Sequence, residues 1–534
     1  MKVLVADPIA QQGIDILAAQ HEVDVRLGLK REQLIEIAGD YEAIVTRSET
    51  KVTAEVIAAA PKLKVVGRAG VGVDNIDVQA ATEKGILVVN VPGANTVAAA
   101  EHALALILAL ARHVPQACDD LKGGNWKRSK FAGVELRGKT LGIIGLGRIG
   151  TEVANRARAF EMRILAYDPY VTPARAEKIG AEVVPLEALL RESDFVSLHT
   201  AKTQETTGLL GPEEIAAMKE GARLINCARG GLVDEDALYS ALKEGKLAGA
   251  ALDVFAQEPP GKHPLFELPN VIATPHLAGS TMEAQEANGV IIAELINQAL
   301  AGEPVLSAVN IPNVPPQEAK ALEPYLPLAE TLGRFYAQAL PGPLAAVSVN
   351  YSGDVAGLPY SLLTNTVLKG LLSGIVADPV NHINARVIAA RRGIQVSESA
   401  SAESAGYTNR IDLRVTAGNG VKGGAVKPVT RSVSGHVSST GIRIVGINDF
   451  QVDFAPTARM ILAWNVDQPG VIGKVGTVLG ARGINIAGMQ VGRASIGGQA
   501  VMILQVDDQV EDGVLEAVAA VPGIMEARRV ELAL

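Results

Sequence analysis

The chain has 534 residues, of which 48% are hydrophobic and 20% charged, and its formal net charge is −9. This length allows roughly three or four domains with separate cores, and the composition excludes a disordered protein. The negative charge disfavours binding to nucleic acid or to anionic membranes. The presence of only two cysteines is typical of a reducing compartment such as the cytoplasm. The N-terminus lacks a signal-peptide pattern, and the most apolar run, residues 103–111, is too short to span a bilayer.

The first part of the chain alternates short apolar runs with amphipathic stretches. This alternation predicts a parallel sheet with helices on both faces. A long helix at residues 97–113 follows it. The strands are predicted at residues 3–6, 43–45, 65–66 and 88–89.

The strongest motif follows a buried strand at residues 141–144 and opens a helix at 151–160. It has the pattern Gly-x-Gly-x-x-Gly, formed by Gly145, Gly147 and Gly150. The first glycine permits a tight turn, the second lets the backbone approach a pyrophosphate, and the third lets helix and strand pack closely. The pattern predicts a Rossmann-type dinucleotide site, with the phosphates at the helix N-terminus.

Asp168 supports this interpretation. It ends the next predicted strand, residues 163–167, about twenty residues past the glycines, where a carboxylate can accept hydrogen bonds from both ribose hydroxyls. The same charge repels a 2′-phosphate, so we expect NAD to be preferred over NADP.

The dinucleotide unit continues with further strands and helices and closes near residue 282. A helix at residues 282–301 is then expected to return the chain to the first domain. We therefore predict a discontinuous substrate domain, residues 1–97 and 283–314, with a nucleotide domain, residues 98–282, inserted into it. The later strands are predicted at residues 195–198, 223–226, 250–253 and 271–273.

A proline-bearing stretch at residues 309–316 marks the next boundary, since proline removes donors and stiffens the backbone. Residues 315–455 are predicted as an α+β domain with helices at 322–340 and 364–376 and strands at 408–415 and 441–445; no metal-ligand spacing is found there. Residues 456–534 have the order βαββαβ, which indicates a ferredoxin-like unit. Its strands are predicted at 460–465, 485–491, 499–506 and 524–532, with helices at 471–482 and 511–520.

Candidate catalytic residues follow strands of the nucleotide domain, where ligands of open α/β sheets bind. Hydride transfer between a nicotinamide and a 2-hydroxy acid needs a cation for the carboxylate, an acid/base and a carboxylate that tunes it. Arg229, Glu258 and His276 supply these groups. On the residues alone, Arg229 could be a surface charge and Glu258 a turn residue. His199 also ends a strand and is a competing acid, or it lines the cofactor cleft.

Five motifs in these regions resemble the D-2-hydroxyacid dehydrogenase family. Over essentially all 534 residues, the chain is similar to the long-form phosphoglycerate dehydrogenases within that family. The resemblance implies a Rossmann-type domain inserted in a flavodoxin-like substrate domain, then an intervening domain and an ACT domain. The motifs are RAGVGVDN (68–75), GLGRIG (145–150), NCARG (226–230), DVFAQEP (253–259) and TPHLAGS (274–280).

The resemblance implies that Arg229, Glu258 and His276 are catalytic. His276, kept protonated by Glu258, would donate a proton when a keto acid is reduced. It would act as the base when 3-phosphoglycerate is oxidised to 3-phosphohydroxypyruvate, the entry to serine synthesis. Arg229 would bind the carboxylate and the C2 oxygen while hydride passes between C2 and the nicotinamide.

The resemblance also implies further contacts with NAD. Arg148 and Ile149 match pyrophosphate contacts, and Thr200, Cys227 and Asp253 match residues around the nicotinamide half. Cys227 can be interpreted as a reactive thiol or as a small packing side chain.

Substrate and subunit contacts are implied at three other positions. Arg47 and Arg68 each follow a strand of the first domain and match positions that contact substrate, where their charges suit a phosphate; a solvated basic surface is the alternative. Trp126 either reaches a neighbouring subunit of a homo-oligomer, a dimer or tetramer, or packs in the core.

The terminal ACT-like unit implies feedback inhibition by L-serine. Its Asp467 loop and Asn485 turn are expected near a helix start, where they could hold an amino acid, and Asn465 stands where relatives carry histidine or tyrosine. The alternative is a structural dimerisation module. In the intervening domain, Arg443 is a possible contact for an anion or substrate.

Two other functions use the same fold and catalytic trio. A glyoxylate or hydroxypyruvate reductase normally ends near residue 320, and the extra domains and Arg47 argue against it. An NAD-sensing corepressor of transcription would need a peptide-binding groove, and neither an ACT-like terminus nor phosphate-binding arginines would then be expected.

Overall fold

A computed structural model describes residues 1–303, 305, 308–312, 314–376, 379–403, 406–417 and 429–533. Position 313 of the proline-bearing stretch and residues 418–428 of the intervening region lie outside the described part of the chain. Within the described part, no single helix is long and apolar enough to cross a membrane. One bent pair, Thr96–Arg112 with Val114–Lys122, passes that test by length and composition.

The first sheet is parallel and has the strand order β2-β1-β3-β4-β5. Its central strands are apolar runs because helices cover both faces. Strand β2 was not predicted, since its alternating charged residues lie at the half-exposed edge of the sheet. The elements are β1 (Lys2–Val5), α1 (Gln11–Ala18), β2 (Glu22–Val25), α2 (Arg31–Ile37), β3 (Ala43–Thr46), α3 (Ala54–Ala58), β4 (Val65–Arg68), α4 (Val78–Lys84) and β5 (Leu87–Asn90).

Two helices, α5 (Thr96–Arg112) and α6 (Val114–Lys122), lead into the second sheet. This sheet is also parallel, with the order β12-β11-β10-β9-β6-β7-β8. The order reverses between β6 and β9, which creates the crevice where ligands of doubly wound sheets bind. The elements are β6 (Thr140–Ile144), α7 (Arg148–Ala159), β7 (Arg163–Tyr167), α8 (Pro173–Ile179), β8 (Glu182–Val183), α9 (Leu186–Glu192), β9 (Phe195–Leu198), α10 (Pro212–Ala217), β10 (Ala222–Asn226), α11 (Glu235–Lys243), β11 (Leu247–Leu252) and β12 (Val271–Ala273).

Helix α12 (Met282–Ala301) returns the chain to the first sheet, as predicted. Its buried residues Ile292 and Ile296 share a core with strands β1, β3 and β4. Helix α12 also crosses α1 at very short range. A Cβ added to Gly13 would lie only 2.4 Å from the carbonyl oxygen of Gly289, so the crossing requires glycine at position 13. The first domain is therefore closed by a segment that follows the inserted nucleotide domain.

The intervening region forms a six-stranded sheet with the order β14-β13-β15-β16-β17-β18. Its helical beginning is broken into two helices where Pro324 caps α14. Four of the strands were not predicted, because serine, threonine and glycine hide their apolar alternation. The elements are α13 (Pro316–Leu322), α14 (Tyr325–Ala339), β13 (Ala346–Gly353), α15 (Ser361–Leu372), α16 (Ala385–Arg391), β14 (Gln395–Ser401), β15 (Asn409–Thr416), β16 (Thr430–Ser438), β17 (Gly441–Ile447) and β18 (Phe450–Phe454).

The terminal unit has the predicted order βαββαβ and an antiparallel sheet, β20-β21-β19-β22. One sheet face, including Ile461 and Ala463, packs on α17 and α18. The opposite face, including Leu462, belongs to the same core as α14 of the intervening region. The last two units therefore share a core. The elements are β19 (Arg459–Val466), α17 (Val471–Gly480), β20 (Ile486–Arg493), β21 (Gln499–Val506), α18 (Asp512–Ala519) and β22 (Ile524–Glu531).

Because of this shared core, we expect Leu462→Ala to destabilise both units together. Leu462 is 0% exposed, and removing a buried leucine side chain costs about 2–5 kcal/mol. Calorimetry should show one transition, containing both units, at lower temperature. Ile472→Ala, at a 45% exposed position of α17, is the control and should have little effect. A shift confined to a separate transition of the terminal unit would contradict the shared core.

Candidate active site

The glycine loop fits a dinucleotide pyrophosphate. A Cβ on Gly145 would lie 2.8 Å from the carbonyl carbon of His199, and one on Gly150 would lie 2.1 Å from the oxygen of Gly145. Gly147 instead has no described atom within 4 Å of its Cβ position and is the N-cap of α7. The loop is therefore tight on the side of the sheet and open where free N–H groups at the helix start can bind an anion. Arg148 begins this helix, three positions before the predicted start, since Gly147 already ends the loop.

The carboxylate of Asp168 is fixed beside the glycine loop. One of its oxygens accepts the N–H of Leu146 at 2.9 Å, and the other accepts the N–H of Tyr170 at 2.9 Å. The residue directly follows β7, which pairs with β6. Asp168 therefore lies beside the glycine loop, and its contact with the ribose stays a prediction.

His276 and Glu258 form a hydrogen-bonded pair. The distance from His276 Nδ1 to Glu258 Oε2 is 2.8 Å, and the side chains are 45% and 37% exposed. The second Glu258 oxygen accepts the N–H of Phe255 at 3.1 Å. Burial opposes ionisation of Glu258, but these hydrogen bonds lower its pKa. A carboxylate that favours its ionised form therefore faces Nδ1 of the imidazole, and Nε2 has no hydrogen-bond partner among the described residues.

Asp253 holds the loop that carries His276. Its carboxylate accepts the Thr274 hydroxyl at 2.6 Å, the N–H of Leu277 at 2.8 Å and the N–H of Ala278 at 2.9 Å. Its backbone oxygen accepts the N–H of His276 at 2.9 Å. These bonds keep His276 in a left-handed backbone conformation, with φ at 53°, which non-glycine residues seldom adopt.

His102 is part of this network and was missed by the sequence reasoning. Its Nε2 lies 3.4 Å from Asp253 Oδ1 and 3.3 Å from Thr274 Oγ1. Burial raises the pKa of Asp253, but hydrogen bonds led by that from His102 outweigh it and lower the pKa. The available signal was a polar pair, Glu101 and His102, within the otherwise apolar helix α5.

The competing acid, His199, has a different environment. Its Nε2 is 2.9 Å from Ser197 Oγ, and burial lowers its pKa to about 4, so it is neutral near pH 7. Thr200 follows it, with its backbone nitrogen against Gly145. Burial, followed by the charge of Asp253, raises the pKa of Cys227, which favours packing over thiolate chemistry.

Three arginines from two domains lie near the cleft. Arg229 Nε is 3.5 Å from Asp74 Oδ2 in the first domain. Burial and then the charge of Arg229 lower the pKa of Arg68, and Arg47 acts in the same direction. The cleft therefore carries a positive cluster, as the binding of a doubly anionic substrate requires.

The regulatory residues of the terminal unit do not form one site within a single chain. Asp467 precedes α17 and accepts the N–H of Gly497 at 3.2 Å. Asn485 follows the last turn of α17 and donates to Asp507 at 2.6 Å. The expectation that both lie near a helix start is wrong, because α17, whose ten residues span about 15 Å, lies between them. Asn465 is 4% exposed, and its Oδ1 has no hydrogen-bond partner among the described residues.

Two further predicted contacts can be placed. Trp126 is 75% exposed, so the interpretation of a core residue is wrong, and the contact with a neighbouring subunit stays a prediction. Arg443 pairs with Asp453 through its Nε and donates from Nη2 to the Asp453 backbone oxygen at 3.0 Å. Its guanidinium is therefore already engaged within the sheet.

Three family models match successive parts of the chain. Residues 104–278 match the D-isomer specific 2-hydroxyacid dehydrogenase NAD binding domain. Residues 321–448 match the D-3-phosphoglycerate dehydrogenase intervening domain, and residues 459–523 match the ACT domain. The D-3-phosphoglycerate dehydrogenase of Archaeoglobus fulgidus is 47% identical over 536 residues, which cover 100% of both chains.

Two shorter solved structures each resemble a little over half of the chain. A glyoxylate reductase from Paecilomyes thermophila is 33% identical with a TM-score of 0.54; the match covers 58% of this chain and 98% of that one. A D-lactate dehydrogenase from Aquifex aeolicus, complexed with NAD and lactic acid, is 32% identical with a TM-score of 0.52, over 57% of this chain and 96% of that one. The shorter enzymes therefore lack counterparts of the last two units.

The hydrogen bonds to Asp253 predict a pH-dependent effect of Asp253→Asn. The amide replaces one acceptor oxygen by a donor that faces a loop donor, which should lower the free energy of unfolding by about 1–3 kcal/mol at pH 7. The folded pKa of Asp253 lies below its ordinary value of 3.8. The stabilisation is thus present above that value and is lost as pH falls through the folded pKa, so the difference between the proteins should shrink below about pH 4. Urea unfolding at pH 7 and pH 3.5 measures this; an unchanged difference would contradict it.

Proposed function

Since the chain belongs to the D-3-phosphoglycerate dehydrogenase family of 2-hydroxyacid dehydrogenases, we propose that it oxidises 3-phospho-D-glycerate to 3-phosphohydroxypyruvate with NAD. This reaction is the first step of L-serine biosynthesis. The observation that carries the proposal is the pair of His276 Nδ1 and Glu258 Oε2, 2.8 Å apart, beside a glycine loop that fits a dinucleotide.

In this proposal His276 acts through its second nitrogen. Nδ1 is engaged by Glu258, so Nε2 is the atom that accepts the proton of the C2 hydroxyl during oxidation. The carboxylate of Glu258 stabilises the imidazolium that results. NAD, held by the glycine loop and Asp168, would supply the hydride acceptor for C2. In the reverse direction the same nitrogen returns the proton to the carbonyl oxygen.

Arg229 is proposed to bind the substrate carboxylate and the C2 oxygen. Its planar guanidinium can donate two parallel hydrogen bonds to a carboxylate. Its Nε lies 3.5 Å from Oδ2 of Asp74, whose side chain is 74% exposed. A pair with a solvent-exposed partner contributes little, so a substrate carboxylate could replace Asp74 at small cost. Arg229 would then join the two domains through the substrate.

The phosphate is assigned to Arg47 and Arg68. Arg47 follows β3 and Arg68 ends β4, both at the carboxyl end of the first sheet. Burial and then the charges of Arg229 and Arg47 lower the pKa of Arg68. A phosphorylated acid carries negative charge at both ends, which suits cations contributed by both domains. An unphosphorylated hydroxypyruvate or glyoxylate would use only Arg229.

NADH production separates these substrates. We expect turnover with D-3-phosphoglycerate and little with D-glycerate, and Arg47→Ala should raise the KM for the phosphorylated acid by about tenfold or more. Arg31→Ala, which removes a charge paired with Glu55 in the same domain, is the matched control and should leave KM unchanged. Activity confined to the reduction of unphosphorylated hydroxypyruvate or glyoxylate would assign the chain to the reductases instead.

His276→Ala tests the assigned base. Turnover should fall by about 10²-fold or more, while NADH binding, measured by fluorescence titration, should stay intact because the glycine loop is untouched. His263, 3.1 Å from Glu235, offers a second histidine–glutamate pair in the same domain. His263→Ala should therefore retain turnover. Full activity of His276→Ala would reject the assignment.

The terminal unit is proposed to bind L-serine as a feedback inhibitor. The buried amide oxygen of Asn465 lacks a hydrogen-bond partner in the described chain, which suits an amino-group donor. Asp467 and Asn485 lie at opposite ends of α17, so a site that uses both needs two chains. Millimolar L-serine should suppress turnover in the same assay; unchanged turnover would leave the unit a structural module.

A homo-oligomer is proposed to form through helix α6 and the segment with Trp126, which precede the nucleotide sheet in the chain. Helix α6 has no buried residue, and Val114, Leu121 and Trp126 expose 54–75% of their surface. Large exposed apolar side chains in one segment are typical of an interface. The two cysteines are free, Cys118 exposed and Cys227 buried, which supports a reducing compartment, here proposed as the cytoplasm.

A further inference from the structure

We infer that Asp7 is a positioning residue for the substrate phosphate, because its buried carboxylate sets the loop of residues 46–50 that presents Arg47. The inference rests on the proposed role of Arg47. Asp7 lies two positions past β1 (Lys2–Val5), at the carboxyl end of a central strand of the first sheet, and its side chain takes no part in the proton or hydride transfer.

The carboxylate of Asp7 binds the donors of this loop. It is 1% exposed. It accepts the N–H of Arg47 at 2.6 Å, the Thr46 hydroxyl at 2.8 Å and the Thr50 hydroxyl at 2.5 Å. The N–H of Thr50 lies 3.1 Å from both carboxylate oxygens. Four donors from three loop residues therefore converge on one side chain.

Asn75 and Arg68 of the first domain bind the backbone acceptors of this loop. Asn75 Nδ2 donates to the backbone oxygens of Arg47 at 2.9 Å and Thr50 at 2.6 Å. Arg68 Nε also donates to the Arg47 oxygen, at 3.0 Å. Both polar groups of the Arg47 backbone are thus engaged, and the direction in which its side chain leaves the loop is determined.

The chemistry requires a carboxylate at position 7. Only an ionised carboxylate presents acceptors without a donor, and an amide or a protonated acid would turn a donor toward one of the loop donors. Burial opposes the charge, but the hydrogen bonds from Thr50, Arg47 and Thr46 lower the pKa of Asp7. Because the N–H groups of Arg47 and Thr50 are occupied by Asp7, they are not available to a phosphate, and Arg47 can bind it only through its side chain.

The test is Asp7→Asn in the full-length enzyme, with KM and kcat measured for 3-phosphoglycerate. We expect KM to rise by about tenfold, since a charge-assisted network of this kind fixes the position of Arg47. The kcat and the KM for NAD should change less than about threefold. A purely structural role would instead lower the melting temperature and the amount of active enzyme without moving KM, and that result would overturn the inference.

A matched variant controls for the loss of a carboxylate in this sheet. Asp24 also accepts a side-chain hydroxyl, that of Tyr41 at 2.6 Å, and makes no hydrogen bond to residues 46–50. Asp24→Asn should leave KM unchanged. An equal rise in KM for Asp24→Asn would overturn the inference.

A second pair of variants keeps the inference testable if Asp7→Asn does not fold. Thr50→Val removes only the hydroxyl that binds Asp7 and should raise KM severalfold, whereas Thr50→Ser keeps the hydroxyl and should restore it. Unchanged KM in Thr50→Val would count against the role of Asp7.

Comparison with Arg47→Ala separates this inference from the proposed function. If Asp7 acts through Arg47, Asp7→Asn should add no further rise in KM to Arg47→Ala. A raised KM in Arg47→Ala together with unchanged KM in Asp7→Asn would overturn only the role of Asp7. Unchanged KM in Arg47→Ala would overturn the phosphate assignment, and the inference with it.

Discussion

The site depends on carboxylates that follow parallel strands and bind the N–H groups of a neighbouring loop. Asp253, just past β11 (Leu247–Leu252), holds the loop of His276. Asp168, just past β7, holds the glycine loop, and Asp7 holds the loop of Arg47. Carboxyl ends of parallel strands converge at one edge of a sheet, and an acceptor-only side chain there can satisfy several backbone donors at once. Three functional loops are thus set by the same physical device.

The features that could be predicted from the sequence are those that residues close together in the chain determine. The glycine loop is recognisable from a spacing within ten residues, and α12 has an apolar face and a capping Thr281. The pairing of Glu258 with His276 came from a resemblance to known motifs and agrees with the geometry. Strand β2 was missed because its alternating charged residues lie at a half-exposed edge, and β8 because it has only two residues. Four strands of the intervening sheet were missed because its polar composition hides their alternation.

The supporting residues could not be predicted, because their roles depend on contacts between distant positions. Asp7 meets Thr50 across 43 positions, and His102 meets Thr274 across 172. A carboxylate after a strand and a histidine in an apolar helix are common features whose partners no local pattern identifies. The error at Asp467 and Asn485 has the opposite origin: the residues are close in sequence, but a whole helix holds them apart.

The units also differ in how firmly they are joined. This difference limits how a ligand bound to the terminal unit could influence the active site. The terminal sheet shares a core with α14, so these two units can move only as one body. The intervening unit contacts the first domain at the end of α4: Asn381 Nδ2 donates to the Gly85 oxygen at 2.7 Å, and Arg391 pairs with Glu83. Helix α4 directly follows the turn with Asp74 and Asn75, which contacts Arg229 and the Arg47 loop. Any displacement of the terminal body would therefore act first on the substrate domain, through α4, rather than on the nucleotide domain.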